Sequence, residues 1–142
     1  MPPRAHTTLT LPPALHAELA GIARARYPRE ACGLLLGRRD GDHVRVLEQR
    51  EARNQAVTAD RYDLDPADHL RAEDEARALE LEVVGVWHSH PDHPARPSEH
   101  DRAQAWAGWS YVIVSVRADA LGEVRSWRLG DARTFEEEVL RS

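Results

Sequence analysis

The stretch "VVGVWHSHPDHPARPSEHDRAQA", residues 83–105, decides how the rest of the chain is read. It begins as an apolar run of strand character and then places four histidines, two aspartates and a glutamate within the fourteen positions 88–101. Side chains two apart on a strand face the same way, with their backbones about 6.6 Å apart from two rises of about 3.3 Å. His88 and His90 can therefore converge on one ion. Zinc accepts imidazole nitrogen and carboxylate oxygen at about 2.0–2.2 Å, and a catalytic zinc keeps three protein ligands plus water. The third ligand has to come from Asp92, His93, Glu99, His100 or Asp101. If the chain turns between Pro94 and Pro97 and re-enters as a helix, Asp101 in the first turn is the natural choice, with Ser98 one turn earlier.

Plainer readings stand beside this one. An H-x-H pair at a strand end is usually two ordinary histidines, and Ser98-Glu99-His100-Asp101 also fits a capping box, in which the serine caps a helix and the acid at N3 returns the bond. A second metallic reading takes "HSHPDH" (88–93) as the H-x-H-x-D-H signature of metallo-β-lactamase-fold hydrolases. That fold completes its sites with histidines far downstream, and the last histidine of this chain is His100.

Outward from this segment, strands and helices alternate. "TTLTL" (7–11) predicts a short strand, and Pro12 and Pro13 open a helix running to about Tyr27 with Leu15, Leu19 and Ile22 on its apolar face. "ACGLLLGRRDGDHVRVLEQ" (31–49) has the pattern of a β-hairpin turning around Asp40-Gly41. "NQAVTADRYDLD" (54–65) lacks a period and predicts a loop with an extended piece at Arg61–Leu64. Asp65-Pro66 is an N-cap and first-turn signal for a helix over 66–80, with Glu73 and Arg77 at i,i+4. Ser98 to about Trp106 predicts helix; "YVIVSVR" (111–117) and "EVRSWRL" (123–129) predict strands around Leu121-Gly122. "TFEEEVLRS" (134–142) is ambiguous, with a last helix turn or two as one reading. Such interleaving favours a sheet covered by helices.

A chain of 142 residues suits one domain over 1–142, and no apolar run approaches a membrane span. The start "MPPRAHTTLT" lacks the apolar stretch of a secretory leader, and Cys32 is the only cysteine, so a reducing cytoplasm is expected. A net charge of −5 spread over mixed-sign segments argues against a nucleic-acid face. All nineteen basic residues are arginine, so no lysine amine is open to modification. Cys32 reads as a small core residue, Trp106 and Trp109 as packing for a helix end, Asp92 and His93 as exposed loop residues, and Asn54 or Tyr62 as candidate groove residues.

Taken together, His88-Ser89-His90, seven residues, Ser98, two residues and Asp101 resemble the JAMM signature H-x-H-x(7)-S-x(2)-D of the MPN-domain metallopeptidases. "GVWHSHP", "HPARPSEHD", "YVIVSVR" and "PREACGLLLG" are similar to the short bacterial members, over at least residues 9–140. The resemblance implies an α/β fold, a single MPN (cytidine-deaminase-like) domain with a mixed β-sheet flanked by helices. It implies one Zn2+ per chain on His88, His90 and Asp101, Glu30 in "YPREACGLLLG" as general acid/base, and Ser98 as a donor to the oxyanion. Fifty-eight positions separate Glu30 from His88, and residue spacing alone would leave it a solvated turn carboxylate.

The family cleaves peptide or isopeptide bonds after a carboxyl-terminal Gly-Gly tail. The short bacterial type implies a ubiquitin-like sulfur-carrier protein as partner, from which an amino acid or protein is released, with a homodimer compatible and no nucleic acid or membrane involved. An edge strand beside the zinc is expected to pair with the tail's backbone. Other functions for the same fold are a non-catalytic scaffold in an assembly and a metal-dependent hydrolase of another small substrate.

Overall fold

The structure, a computed structural model, describes residues 7–142. Among these lie, in chain order, β1 (Thr8–Thr10), α1 (Pro13–Arg26), β2 (Cys32–Asp40), β3 (His43–Ala52), α2 (Pro66–Ala78), β4 (Glu82–Pro91), α3 (Glu99–Gln104), β5 (Ser110–Val116), β6 (Leu121–Leu129) and β7 (Phe135–Arg141). The expectation of no secretory leader rests on residues 1–10, of which 1–6 lie outside the described residues. No helix among those described is long and apolar enough to cross a membrane.

The sheet is mixed, as expected, in the order β1-β3-β2-β4-β5-β6-β7. Its ends do not stay open. The short β1 pairs in parallel with both β3 and β7 and closes the strands on one another. The fully buried Leu9 at its centre explains why three residues suffice. Closure is local: β1 pairs only with His43–Arg45 of β3 and Val139–Arg141 of β7, so residues 46–52 of β3 have no strand partner on that side among the described residues.

Helices α1 and α2 pack on opposite sides of the sheet. Leu19 and Ala23 of α1 join Leu35, Val84, Trp87, Val112 and Val114 in one core cluster. Ala72 and Ala76 of α2 join Leu34, Leu36, Val86 and Tyr111 in the other. On β4 this alternation is broken once: Leu35 pairs with Gly85 and Leu36 with Val83, leaving Val84 as an extra residue in a β-bulge. The bulge flips the pleat. Val84 faces the α1 side, whereas the even-numbered residues after it follow Val86 toward α2, and His88 and His90 go with them.

Several boundaries differ from the sequence expectation. The turn before β6 spans 117–120, so Leu121 and Gly122 already belong to the strand. Helix α3 ends at Gln104 rather than near Trp106. The segment 61–64 makes only one isolated bridge, Leu64 to Asn54. The ambiguous 135–141 segment is a strand and contains no helix turn. Its Glu-rich run hides the reason: Glu138 is buried, accepting from Ser126 Oγ at 2.8 Å and pairing with Arg128 Nη2 at 3.0 Å.

Candidate active site

The carboxyl end of β4 delivers His88 and His90 to one point, both buried. The following loop is tied to the body where Trp127 Nε1 donates to the Ala95 carbonyl at 3.0 Å and Ser115 Oγ to the His93 carbonyl at 2.6 Å. It returns the chain as α3, whose capping box is complete: Asp101 N donates to Ser98 Oγ at 3.0 Å and Ser98 N to Asp101 Oδ2 at 2.8 Å. The same Oδ2 lies 3.2 Å from His88 Nε2 and 3.1 Å from His90 Nε2, and the two Nε2 atoms are 3.1 Å apart. Capping and clustering are thus the work of one set of residues, and the two readings of Ser98-x-x-Asp101 do not compete.

Ligands at about 2.0–2.1 Å from a tetrahedral ion are about 3.3–3.4 Å from one another. The triangle of 3.1–3.2 Å edges therefore fits a small four-coordinate cation. His90 Nδ1 donates to the Pro94 carbonyl at 2.9 Å, which turns Nε2 toward Asp101 and would let it face a cation there. Tyr62 stacks on His88, with ring centroids 4.4 Å apart.

Glu30, just ahead of β2, is buried at 7% exposure. It joins His88 and His90 in a group whose possible ligand atoms all lie within 4.8 Å of one another. Two carboxyls thus compete for one pair of imidazoles, and their protonation separates them. Burial pushes Glu30 up from 4.5 to about 8, with His90 opposing and Asp101 adding to the rise. Burial also works against the charge of Asp101, but His88, His90 and the Ser98 N–H outweigh it and hold this acid far below the usual range. His88 is lowered by burial despite Asp101; His90 is raised because Asp101 and the Pro94 carbonyl overcome its burial. Asp101 is thus held toward its charged form and Glu30 toward its protonated form.

The other candidate ligands lie elsewhere. Glu99 pairs with Arg102, and His100 faces Asp63. Exposed Asp92 accepts from Tyr27 OH at 2.8 Å and His93 is exposed, which removes the H-x-H-x-D-H arrangement. Buried Cys32 packs in the core, its thiol pushed up to about 12 by burial. Trp106 and Trp109 pack on each other and on His69 of α2, beyond the end of α3.

A cleft of about 650 Å³ opens on Glu30, lined also by Arg29, Arg53, Asn54 and Arg71. The 54–63 loop borders it, with Val57 fully exposed at 94% near its tip and Tyr62 at its base. Behind Tyr62 is an apolar cavity of about 310 Å³ lined by Leu34, Leu64, Trp106, Trp109 and Tyr111. The stacking of Tyr62 on a distant histidine had no periodic signal in an aperiodic segment.

This fold and site define a small α/β protein of the metallopeptidase-like JAB class. A model of prokaryotic homologues of the JAB domain matches residues 12–130, and the chain belongs to that family, a short prokaryotic branch of the JAMM/MPN group. It is similar to the desampylase of Pyrococcus furiosus, 33% identical over 108 residues that cover 76% of this chain and 72% of the relative. It is also 31% identical to the CysO-cysteine peptidase of Mycobacterium tuberculosis over 119 residues, covering 82% and 80%. The solution structure of a Desulfitobacterium hafniense protein superposes with a TM-score of 0.83 at 33% identity, covering 93% of this chain and 90% of that one.

Proposed function

We propose that the protein is a zinc-dependent peptidase or isopeptidase that hydrolyses the bond after the carboxyl-terminal Gly-Gly of a ubiquitin-like sulfur-carrier protein, releasing an attached amino acid or protein. The observation that carries the chemistry is the His88–His90–Asp101 triangle, whose 3.1–3.2 Å edges suit one tetrahedral ion. The substrate class is supported by relatives named as a desampylase and a CysO-cysteine peptidase. The filled motif weighs against a scaffold, and the buried unpaired Cys32 suits a reducing cytoplasm.

In this reading His88, His90 and Asp101 hold Zn2+. The chemistry supplied on binding zinc is Lewis acidity, which makes water acidic enough to attack near neutral pH. Glu30 is a buried carboxyl beside the two imidazoles, and a bound cation would favour its charged form; it would take a proton from the attacking water and give it to the departing amine. The Ser98 hydroxyl accepts from Asp101 N, so its own hydrogen is free for the developing oxyanion. Losing one such donor commonly costs about 10²- to 10³-fold in rate. Glycines, lacking side chains, would let a tail's backbone come close to Glu30.

The test combines metal analysis with turnover of Gly-Gly carrier adducts, one bearing an amino acid and one a protein. About one zinc per chain is expected, lost in His88→Ala and Asp101→Ala. Glu30→Gln should keep the metal and lose turnover, because the ligands remain and the proton carrier is gone. Wild-type protein that holds zinc yet leaves every adduct intact would sink the substrate reading; normal turnover by Glu30→Gln would sink the assignment of the base.

A further inference from the structure

The carboxyl of Glu30 is aimed at the imidazoles although its Oε1 has no hydrogen-bond partner. It also stands two residues before the first residue of β2, outside the regular ladder. Its aim must come from the backbone that carries it. That backbone is held in an unusual way. The Glu30 carbonyl accepts from Asn54 Nδ2 at 3.0 Å, and the next N–H, that of Ala31, donates to Ser89 Oγ at 2.8 Å. These two groups belong to one peptide unit. We propose that Asn54 and Ser89 are positioning residues that grip the Glu30–Ala31 peptide at both ends and so set the direction of the Glu30 side chain; the inference rests on the reading of Glu30 as the proton carrier.

The peptide unit is planar, so fixing its carbonyl and its N–H fixes ψ of Glu30 and φ of Ala31 together. Both grips are themselves rigid. Ser89 is fully buried between His88 and His90, and its own N–H donates to the Ala31 carbonyl at 2.9 Å. The middle residue of H-S-H thus joins the imidazole strand to the segment carrying Glu30. Asn54 spends its whole carboxamide: besides Glu30, Nδ2 donates to the Arg61 carbonyl at 3.1 Å, and Oδ1 accepts from Ala56 N and Asp63 N, each at 2.9 Å. It thereby couples Glu30 to the loop that ends in Tyr62 on His88. An aspartate at 54 keeps both acceptors but turns an oxygen toward two carbonyls; a threonine at 89 keeps the acceptor for Ala31 N–H.

The experiment compares zinc-loaded Ser89→Ala, Ser89→Thr and Asn54→Asp, alone and combined with Glu30→Gln, for kcat, KM, zinc content and hydrogen exchange of the Ala31 amide. Misplacing a reacting group by about 1 Å costs about 10²-fold. We expect Ser89→Ala and Asn54→Asp to lose about 10- to 100-fold in kcat, with KM and zinc content unchanged. Ser89→Thr should restore the rate. The Ala31 amide should exchange faster in Ser89→Ala and Asn54→Asp, and neither change should slow Glu30→Gln further. Full kcat in both variants, or unchanged Ala31 exchange, would overturn the proposal, as would zinc lost in proportion to rate. Should Ser89→Ala fail to fold, Asn54→Asp and Ser89→Thr decide by the same readings. If Glu30→Gln turned over normally, the base assignment would fail, and Ala31 exchange would still report whether the grip exists.

Discussion

Two carboxyls share one pair of imidazoles and are driven in opposite directions, Asp101 toward permanent charge and Glu30 toward neutrality. That contrast has a measurable cost in the metal-free protein. Unfolded, Glu30 releases its proton near 4.5; folded, it keeps it to about 8. Between these values the unfolded chain binds fewer protons, so this group makes stability fall as pH rises. Asp101 acts in the opposite sense, its contribution being lost as pH falls below the ordinary aspartate range. Melting of metal-free wild type and Glu30→Gln across pH 4–9, a window about a unit wider than the titration, should show the wild type losing ground steadily; parallel curves would mean that burial of Glu30 is not felt. His88, His90, Ser98 and Asp101 were legible because they fall within fourteen consecutive positions with strand and helix spacing. Glu30 was legible only through family likeness, since sequence distance does not constrain a contact made across the sheet. Asn54 was visible only as a groove candidate, and Ser89 only as the filler of H-x-H. What they do depends on which peptide the fold brings to them.

Elements explain why two helix caps differ in consequence. Asp65 caps α2, its Oδ1 accepting from Ala67 N at 2.9 Å, and Ser98 caps α3. Replacing either by alanine should cost about 1 kcal/mol of stability. Only Ser98→Ala should also weaken zinc binding, by about 10-fold, because α3 presents Asp101. Denaturation curves paired with metal titrations would check this, and equal metal affinity in both variants would contradict it. Cap and hairpin signals were readable because they are local. The β-bulge at Val84 was not, although it decides which face receives both histidines. Nor was β7: a run of glutamates signals exposure, and the buried Ser126 and Arg128 contacts of Glu138 exist only after β6 and β7 have paired.

At the scale of the molecule, β4 and α3 bring His88, His90 and Asp101 together on one sheet, so a metal bound there should report on the whole fold. Zinc at 100 times its Kd should add about 2.7 kcal/mol of stability, visible as a rise in Tm that a chelator reverses and that His88→Ala abolishes. An unchanged Tm on adding zinc to metal-free protein would contradict this coupling. Mixed α/β character followed from the interleaved pattern, whereas closure through β1 did not, because three residues leave little periodicity to read. The loop from Asn54 to Asp63 has its outermost residue, Val57, open to solvent and its inner end stacked beside the imidazoles. This ten-residue segment borders the cleft that opens on Glu30, so it is expected to carry much of the discrimination among partners. Grafting it from a related protein, with Asn54 and Tyr62 retained, should transfer partner preference while leaving the barrel and its chemistry in place, a division of labour by which one hydrolytic core can serve many clients.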